Sequence, residues 1–328
     1  MRMSSRIGLT IAILAGGAAT LLPAASAQNG PAPRVDILRE QSDDAAPRVT
    51  LPREVVEAAS AYETYLRNAA AIRAGFRNGE AVNQAMNVGE AYQPEQMEEG
   101  VIAYAALIAL EDERFVRGVQ RFAQRPGDSA READTLLADP AEAAAIPGAQ
   151  DAGALVGAVL REEGVQLFTV GRAVKQSAYD VQHQAWSKQK VPDPEIRLAR
   201  AKSLAANAVI PAPEDVSRLL QSAAEFRGRR AAEDQSSATP VVQRGLALAA
   251  LAVLGRTADE PRLTRLLSEG GGANCMRMAK LNLYQCLAVA GPHYEDIFCL
   301  GQHALMDTGQ CVAAGGGQST IAENTLGR

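Results

Sequence analysis

The sequence lacks the motifs by which most kinds of catalysis are identified. It contains no nucleophile elbow, phosphate-binding loop, HExxH zinc motif or dinucleotide fingerprint. Only three histidines occur, and the first 274 residues contain no cysteine. The sequence therefore favours a protein that is not an enzyme, and it predicts neither a cofactor nor a metal site.

Aromatic residues are scarce, and the chain has no net positive charge. Phe, Trp and Tyr make up 4% of the chain, which disfavours a stacking platform for sugars or bases. The formal net charge is −5 at pH 7. Because nucleic-acid binding requires clustered Lys and Arg against phosphates, we expect no nucleic-acid partner.

The longest apolar run lies at the start of the chain. Two arginines precede an apolar stretch over 7–22, and a small-x-small cleavage site ends at Ala27. This pattern predicts a Sec signal peptide over 1–27, cleaved after Ala27, and a periplasmic or secreted bacterial protein. An uncleaved anchor is the alternative. No later segment is apolar enough to span a bilayer, so no transmembrane segment is expected after cleavage.

The rest of the chain predicts an all-α fold. Residues 28–50 are polar and contain prolines, which indicates a flexible leader, and the Gly-rich residues 312–328 predict a disordered tail. Between them, almost no alternation of β-branched residues is long enough for a strand. We expect a bundle of long, heptad-patterned helices over 51–190, followed by a domain of shorter helical hairpins over 191–311.

Three long helices are expected in the bundle, over 52–76, 94–124 and 150–188, with a short helix within 78–92. In the third, small residues recur every seven positions, which predicts a seam where another helix backbone approaches closely. Two partners fit this seam: another helix of the same chain, or a second copy of the chain in a dimer. The glycines of the seam also permit a kink near Gly164 or Gly171. The seam residues are Gly157, Gly164, Gly171, Ala178 and Ala185.

The short helices are separated by prolines and by a run of three glycines. They are expected over 193–208, 213–227, 240–255, 259–268, 274–290 and 292–308. A glycine at 309 is expected to end the last of them.

All four cysteines lie in the last fifth of the chain. In an antiparallel helical hairpin that turns at Gly291 and Pro292, facing residues share a constant sum of residue numbers. That sum is 585 for Cys286 with Cys299 and 586 for Cys275 with Cys311. Of the three possible connectivities, this register favours the nested pairs. Zinc and redox sites are disfavoured because the spacings contain no CxxC.

This stapled hairpin resembles, in geometry, the disulfide-braced helical hairpin of twin CX9C proteins. Ten, twelve and eleven residues separate successive cysteines here, and the likeness covers fewer than 40 residues. It implies a braced hairpin and no particular function.

The hairpin also holds the candidate site for chemistry. In the same register His303 faces Asn282 between the two disulfides, and Asp307 follows His303 by one helical turn. His293 and Glu295 could extend this site. A buried, hydrogen-bonded structural histidine is the alternative to a functional one.

We therefore expect an exported helical protein of a bacterial envelope that acts as a non-enzymatic scaffold or interaction module. Its partner would be an envelope protein or a second copy bound through the long helices. Two alternatives remain. The first is a periplasmic peptidoglycan hydrolase or another enzyme based on Glu or His, with Glu98 among the possible acids. The second is a binder of metal or a small ligand at His303.

Overall fold

The computed structural model describes residues 34–36, 49–124, 127–231, 238–268 and 272–321. The predicted signal peptide and most of the predicted leader lie outside these ranges. Within them the fold is all-α, as predicted, apart from two short antiparallel strands, β1 Arg34–Asp36 and β2 Thr50–Pro52. The pairing corrects the expectation of a flexible leader at these positions. Leu51 is fully buried, so burial holds β2 against the helices.

The helices follow one another with short connections. The first half contains α1 Arg53–Ala70, α2 Gly79–Gly89, α3 Pro94–Leu110, α4 Glu113–Phe122, α5 Asp128–Ala138, a 3-10 helix Pro140–Ala145 and α6 Ala149–Val181. The second half contains α7 Pro194–Ala206, α8 Pro213–Ala224, α9 Pro240–Val253, α10 Glu260–Ser268, α11 Gly272–Val289, α12 His293–Cys299, a π-helix Leu300–Met306 and α13 Asp307–Gly315.

The single helix predicted over 94–124 is in fact two helices. The Asp112 side chain accepts hydrogen bonds from the amides of Arg114, at 2.8 Å, and Phe115, at 3.0 Å. An aspartate in this position caps a new helix N-terminus. The break after α3 therefore follows from local capping, which overrides the heptad pattern that runs through it.

Helix α6 is continuous, without a break at Gly164 or Gly171. Its 33 residues span about 50 Å at about 1.5 Å per residue. The helix ends at Val181 rather than near 188. Ala185, predicted as the last seam residue, therefore lies outside the helix and is exposed.

The glycines of α6 pack against the C-terminal helical segment, which comprises α12, the π-helix and α13. A Cβ added to Gly164 would lie 2.5 Å from the carbonyl oxygen of Gly309, and one added to Gly309 would lie 2.6 Å from the amide nitrogen of Phe168. No side chain fits where two backbones approach this closely. The predicted seam therefore exists, but another long helix does not fill it. The facing pairs are Gly157 with Gly316, Gly164 with Gly309 and Gly171 with Gly301.

The π-helix keeps these glycines in register. On α6 successive seam glycines are seven residues apart, whereas Gly301 and Gly309 are eight apart. A π-helical turn contains more residues than an α-helical one. The π-helix, which occupies most of the interval between Gly301 and Gly309, absorbs the additional residue.

The C-terminal helix also runs further than predicted. Gly309 does not end it, because α13 continues to Gly315, and Val312 and Ala313 are buried. The tail expected to be disordered from 312 is therefore ordered to Ile321, and only 322–328 lie outside the described residues. Packing on α6 offsets the poor helix propensity of the glycines there.

Two disulfides join α11 to the C-terminal helical segment. Cys275 bonds Cys311 and Cys286 bonds Cys299, each with a Cα–Cα distance of 5.7 Å. These are the nested pairs that the hairpin register predicts. Two such bonds are typical of chains that fold in an oxidising compartment outside the cytosol.

Two helices that are apolar on nearly all sides form the centre of the fold, α3 and α9. They pack on each other where Gly245 meets Ala105, and α1 packs on α3 where Gly100 meets the carbonyl of Ala58. A helix that is apolar all round must be covered on several sides. One hydrophobic core therefore extends from Val49 to Val312, and it crosses the domain boundary expected at 190/191.

Replacing Gly164 by Ala tests the close approach. At a solvent-exposed position inside a helix, a change from Gly to Ala stabilises the helix by about 0.8–1 kcal/mol. Here the methyl group would overlap the Gly309 backbone, and overpacking costs about 1–3 kcal/mol. We expect Gly164→Ala to lower the free energy of unfolding, by up to about 2 kcal/mol in urea denaturation.

Gly315→Ala is the matched control, because a Cβ there would make only ordinary contacts, the nearest at 3.7 Å. It is expected to be neutral or stabilising. Equal stabilisation by both substitutions would contradict the close packing of α6 on α13.

Candidate functional site

The structure brings together three of the five predicted site residues. The Asp307 carboxylate lies 2.9 Å from His303 Nδ1, accepts a hydrogen bond from Asn282 Nδ2 at 3.3 Å and accepts another from Gln302 Nε2 at 3.1 Å. His303 lies in the π-helix, and its side chain is 22% exposed. The group therefore ties α11 to the C-terminal helical segment at a surface that solvent reaches.

This group has limited chemical capacity. Within the described residues, the imidazole of His303 bonds only to Asp307. The same part of the chain holds no group of three or more His, Cys, Asp or Glu side chains placed to bind a metal. One imidazole and one carboxylate supply fewer ligands than a zinc site uses. The arrangement suits a bracing contact better than a catalytic centre.

His293 and Glu295 lie apart from this group, at the start of α12. The Glu295 carboxylate accepts hydrogen bonds from the Gly291 amide, at 2.7 Å, and the Tyr294 hydroxyl, at 3.3 Å. The His293 ring is buried against Gly79, and burial, assisted by Arg197, lowers its pKa. The five predicted residues therefore do not form one site.

A buried cluster of charged groups, which the sequence analysis missed, lies next to His293. Its centre is a pair between Arg197 Nη1 and Asp296 Oδ1, 2.5 Å apart, with both side chains almost fully buried. Arg197 also donates to the carbonyls of Leu287 and Ala290. The cluster joins four separate elements, and its members are Glu90, Arg197, Arg200, Lys280 and Asp296.

Lys280 links this cluster to Tyr92. Its Nζ donates to the Glu90 carbonyl at 2.5 Å and lies 3.8 Å from the centre of the Tyr92 ring. The Tyr92 hydroxyl in turn lies 3.0 Å from Thr308 Oγ1. The sequence carries a signal for this placement, because Lys280 occupies the apolar stripe of α11 with Met276, Leu283 and Leu287.

Four members of the cluster are buried and Arg200 is partly exposed, and burial shifts the pKa values of three of them. Burial raises the pKa of Glu90 to about 7, against the opposing effect of Lys280, and raises that of Asp296 to about 6, against Arg197. Burial lowers the pKa of Lys280 to about 7, against Glu90. Both carboxylate oxygens of Glu90 and Oδ2 of Asp296 are buried without a hydrogen-bond partner among the described residues, so the cluster is held together partly by charge alone.

A second group of shifted carboxyls lies between α1, α3 and α6. Glu163 accepts hydrogen bonds from the hydroxyls of Tyr104, at 2.8 Å, and Tyr62, at 3.3 Å. Burial raises the pKa of Glu163 to about 7 and also raises that of Glu63, which adds a repulsive charge to Glu163. Carboxyls with raised pKa values occur both in active sites and in structural networks of buried charges. Glu98 was the acid suggested by the sequence; it is buried in α3.

An apolar pocket of about 180 Å³, here called the disulfide pocket, lies beside Cys286–Cys299. It opens where the seam of α6 ends, at Ala178, and its rim carries Tyr179 and Val289, which are 49% and 84% exposed. Tyr179 meets Phe298 edge to face at 6.2 Å. Drug-sized ligands occupy pockets of about 300–1,000 Å³, so this volume suits a single large side chain.

Three lysines lie near the disulfide pocket, and the charged side chain in its lining is that of Glu295. Residues 187–191 run along 291–294 through backbone bonds such as Tyr294 N to Ser187 O, at 3.2 Å. Lys188 and Lys190 are exposed on this segment, and neither ammonium has a partner among the residues with described positions. Lys175 lies 5.8 Å from the Phe298 ring centre. The segment beside the pocket therefore adds positive charge next to the Glu295 carboxylate of the lining, on a chain of net charge −5.

The buried carboxyls predict an unusual pH dependence of stability. A carboxyl whose pKa is raised by folding stabilises the folded state below its unfolded pKa, and that stability is lost as the pH rises through the folded pKa. For Glu90, Asp296 and Glu163 the loss falls between about pH 4 and 7. For Lys280, whose pKa folding lowers, stability is regained from about pH 7 to 10.

We therefore expect urea denaturation to give a free energy of unfolding that is smaller at pH 7 than at pH 5, by roughly 1–3 kcal/mol. Glu90→Gln should reduce the number of protons linked to unfolding by about one. The exposed Glu225→Gln should leave it unchanged. The same pH slope in the wild type and Glu90→Gln would contradict the assignment.

Comparisons of the chain with protein-family models, with curated proteins and with solved structures returned no significant match. None of the described helices has the length and apolar character needed to cross a membrane.

Proposed function

We propose that this chain is an exported helical protein of a bacterial envelope that works as a non-enzymatic interaction module. The two disulfides support an oxidising compartment, and the charge and cleavage pattern of 1–27 supports Sec export into the periplasm. The tightly packed α6 seam supports a rigid scaffold. Because the chain's own C-terminal helix fills that seam, a partner must use another surface.

The disulfide pocket is that surface in our proposal. Its occupant is one large apolar side chain from a partner segment that also carries Asp or Glu. The exposed apolar rim at Tyr179 and Val289 beside a solvent-accessible pocket is the observation that carries this proposal. A buried apolar anchor within a charged rim is the usual anatomy of a binding hot spot. Lys188 and Lys190 supply positive charge beside the pocket that favours an acidic partner. The Glu295 carboxylate in the lining already accepts hydrogen bonds from the Gly291 amide and the Tyr294 hydroxyl.

A display library of random peptides, selected on the disulfide-intact protein, tests this function. We expect enriched peptides to contain a large apolar residue beside Asp or Glu. Fluorescence anisotropy should show that Tyr179→Ala with Val289→Ser weakens binding about tenfold or more, because it removes the rim of the anchor pocket. Lys188→Glu with Lys190→Glu should weaken binding more at low salt than at high salt.

Ile210→Ser is the matched control, because Ile210 is 86% exposed and does not line the pocket. It should leave the affinity unchanged. If the enriched peptides are basic, or if they bind the Tyr179 variant as tightly as the wild type, the docking proposal fails.

A second candidate function is a peptidoglycan hydrolase, favoured by the coupled carboxyls Glu63 and Glu163. Glycoside cleavage uses two carboxyls, one of which stays protonated at neutral pH as a general acid. A pKa of about 7 for Glu163 would suit that role. The tyrosine hydroxyls on Glu163 would then orient the acid.

Digestion of purified peptidoglycan decides between the two functions. A hydrolase would release soluble fragments, and Glu163→Gln would lower the rate by about 10²-fold or more, because it removes the general acid. The interaction module predicts no release by the wild type. Release that Glu163→Gln leaves unchanged would exclude Glu163 as the acid.

A further inference from the structure

A second pocket, separate from the disulfide pocket, lies where the chain turns from α1 into α2. It has a volume of about 640 Å³ and is lined by residues between Asn68 and Val88, so we call it the α1–α2 pocket. Its volume lies within the range of about 300–1,000 Å³ that is typical of small-molecule sites.

The loop that forms one wall of this pocket is held in place by the core. Ile72 and Phe76 are buried, 9% and 7% exposed, and belong to the main hydrophobic cluster. Between them the backbone of Gly75 adopts a φ of +93°, which favours glycine and produces the turn. The loop therefore presents its remaining side chains from a fixed backbone.

Two of those side chains are arginines, Arg73 and Arg77, and both are exposed at the pocket. In the described part of the chain neither guanidinium has a hydrogen bond or an ion pair. No aspartate or glutamate lines the pocket. The nearby Glu80 accepts a hydrogen bond from Gln84, at 3.1 Å. An acidic chain thus concentrates unpaired positive charge at this pocket.

The rest of the lining is apolar or neutral. Ile72, Phe76, Ala81, Ala85 and Val88 supply apolar surface, and Asn68, Asn78 and Gln84 supply neutral polar groups. Ligand sites commonly combine apolar walls with a few polar groups that orient the ligand. Guanidinium groups match the geometry of carboxylates and phosphates, which accept two parallel N–H donors.

We propose that the α1–α2 pocket binds a small molecule with an anionic head, a carboxylate or phosphate, on a short apolar body. The two arginines hold the head, and the apolar wall holds the body. This site is distinct from the disulfide pocket, and it does not depend on the proposed function.

Binding of octanoate and octyl phosphate to the disulfide-intact protein, below their micelle concentrations, tests the proposal. Isothermal titration gives the affinity, and amide shifts in NMR spectra give the location. At least one anion should bind, with shifts concentrated in 68–88. Octanol and octylamine should bind about tenfold or more weakly, because they lack the charge that pairs with Arg. The tighter of the two anions identifies the head group.

The double variant Arg73→Gln with Arg77→Gln should weaken binding of that anion about tenfold or more. Arg121→Gln with Lys202→Gln makes the same charge change at exposed positions outside the pocket and should leave the affinity within about twofold. The proposal is overturned if neither anion binds, if the shifts lie elsewhere, or if the Arg73 and Arg77 variant binds as the wild type does.

Discussion

The contact between the backbones of α6 and the C-terminal helical segment organises this molecule. Three glycine pairs let the two helices approach closely, and at Gly164 with Gly309 and at Gly171 with Gly301 neither side has room for a Cβ. The gain is dispersion and burial along both helices, and it must exceed the roughly 1 kcal/mol that each glycine costs in a helix. The π-helix accommodates the additional residue between Gly301 and Gly309. In a regular α-helix that residue would rotate the next glycine away from α6.

The remaining features of the C-terminal region are arranged around that contact. The disulfides tie α11 to the segment that lies on α6, and the buried cluster around Arg197 and Asp296 ties α7 and the α2–α3 connection to the same region. The two proposals place recognition elsewhere, at the two pockets. One is apolar with lysines near it, and the other carries two arginines without an ion pair among the described residues.

The sequence predicted the features that depend on residues close to one another or on a fixed register. Cysteine spacing was enough to pair the disulfides, and the small-residue stripe was enough to predict a close approach on α6. The stripe does not identify the helix that approaches α6, so the packing of the C-terminal helical segment there was not predicted. The break at Asp112 was hidden by a heptad pattern that continues across it. Glu90, Arg197 and Asp296 come from distant elements, and no local pattern predicts their meeting; Lys280, on an apolar stripe, was the available clue.

The close approach of α6 and the C-terminal helical segment is the claim on which this account rests, and proton–proton distances measure it directly. In NOE spectra of the isotopically labelled protein, the account predicts cross-peaks between the Hα protons of Gly164 and Gly309, and between those of Gly171 and Gly301. Such contacts require a backbone separation that a side chain would prevent. Well-resolved glycine signals without these cross-peaks would contradict the account.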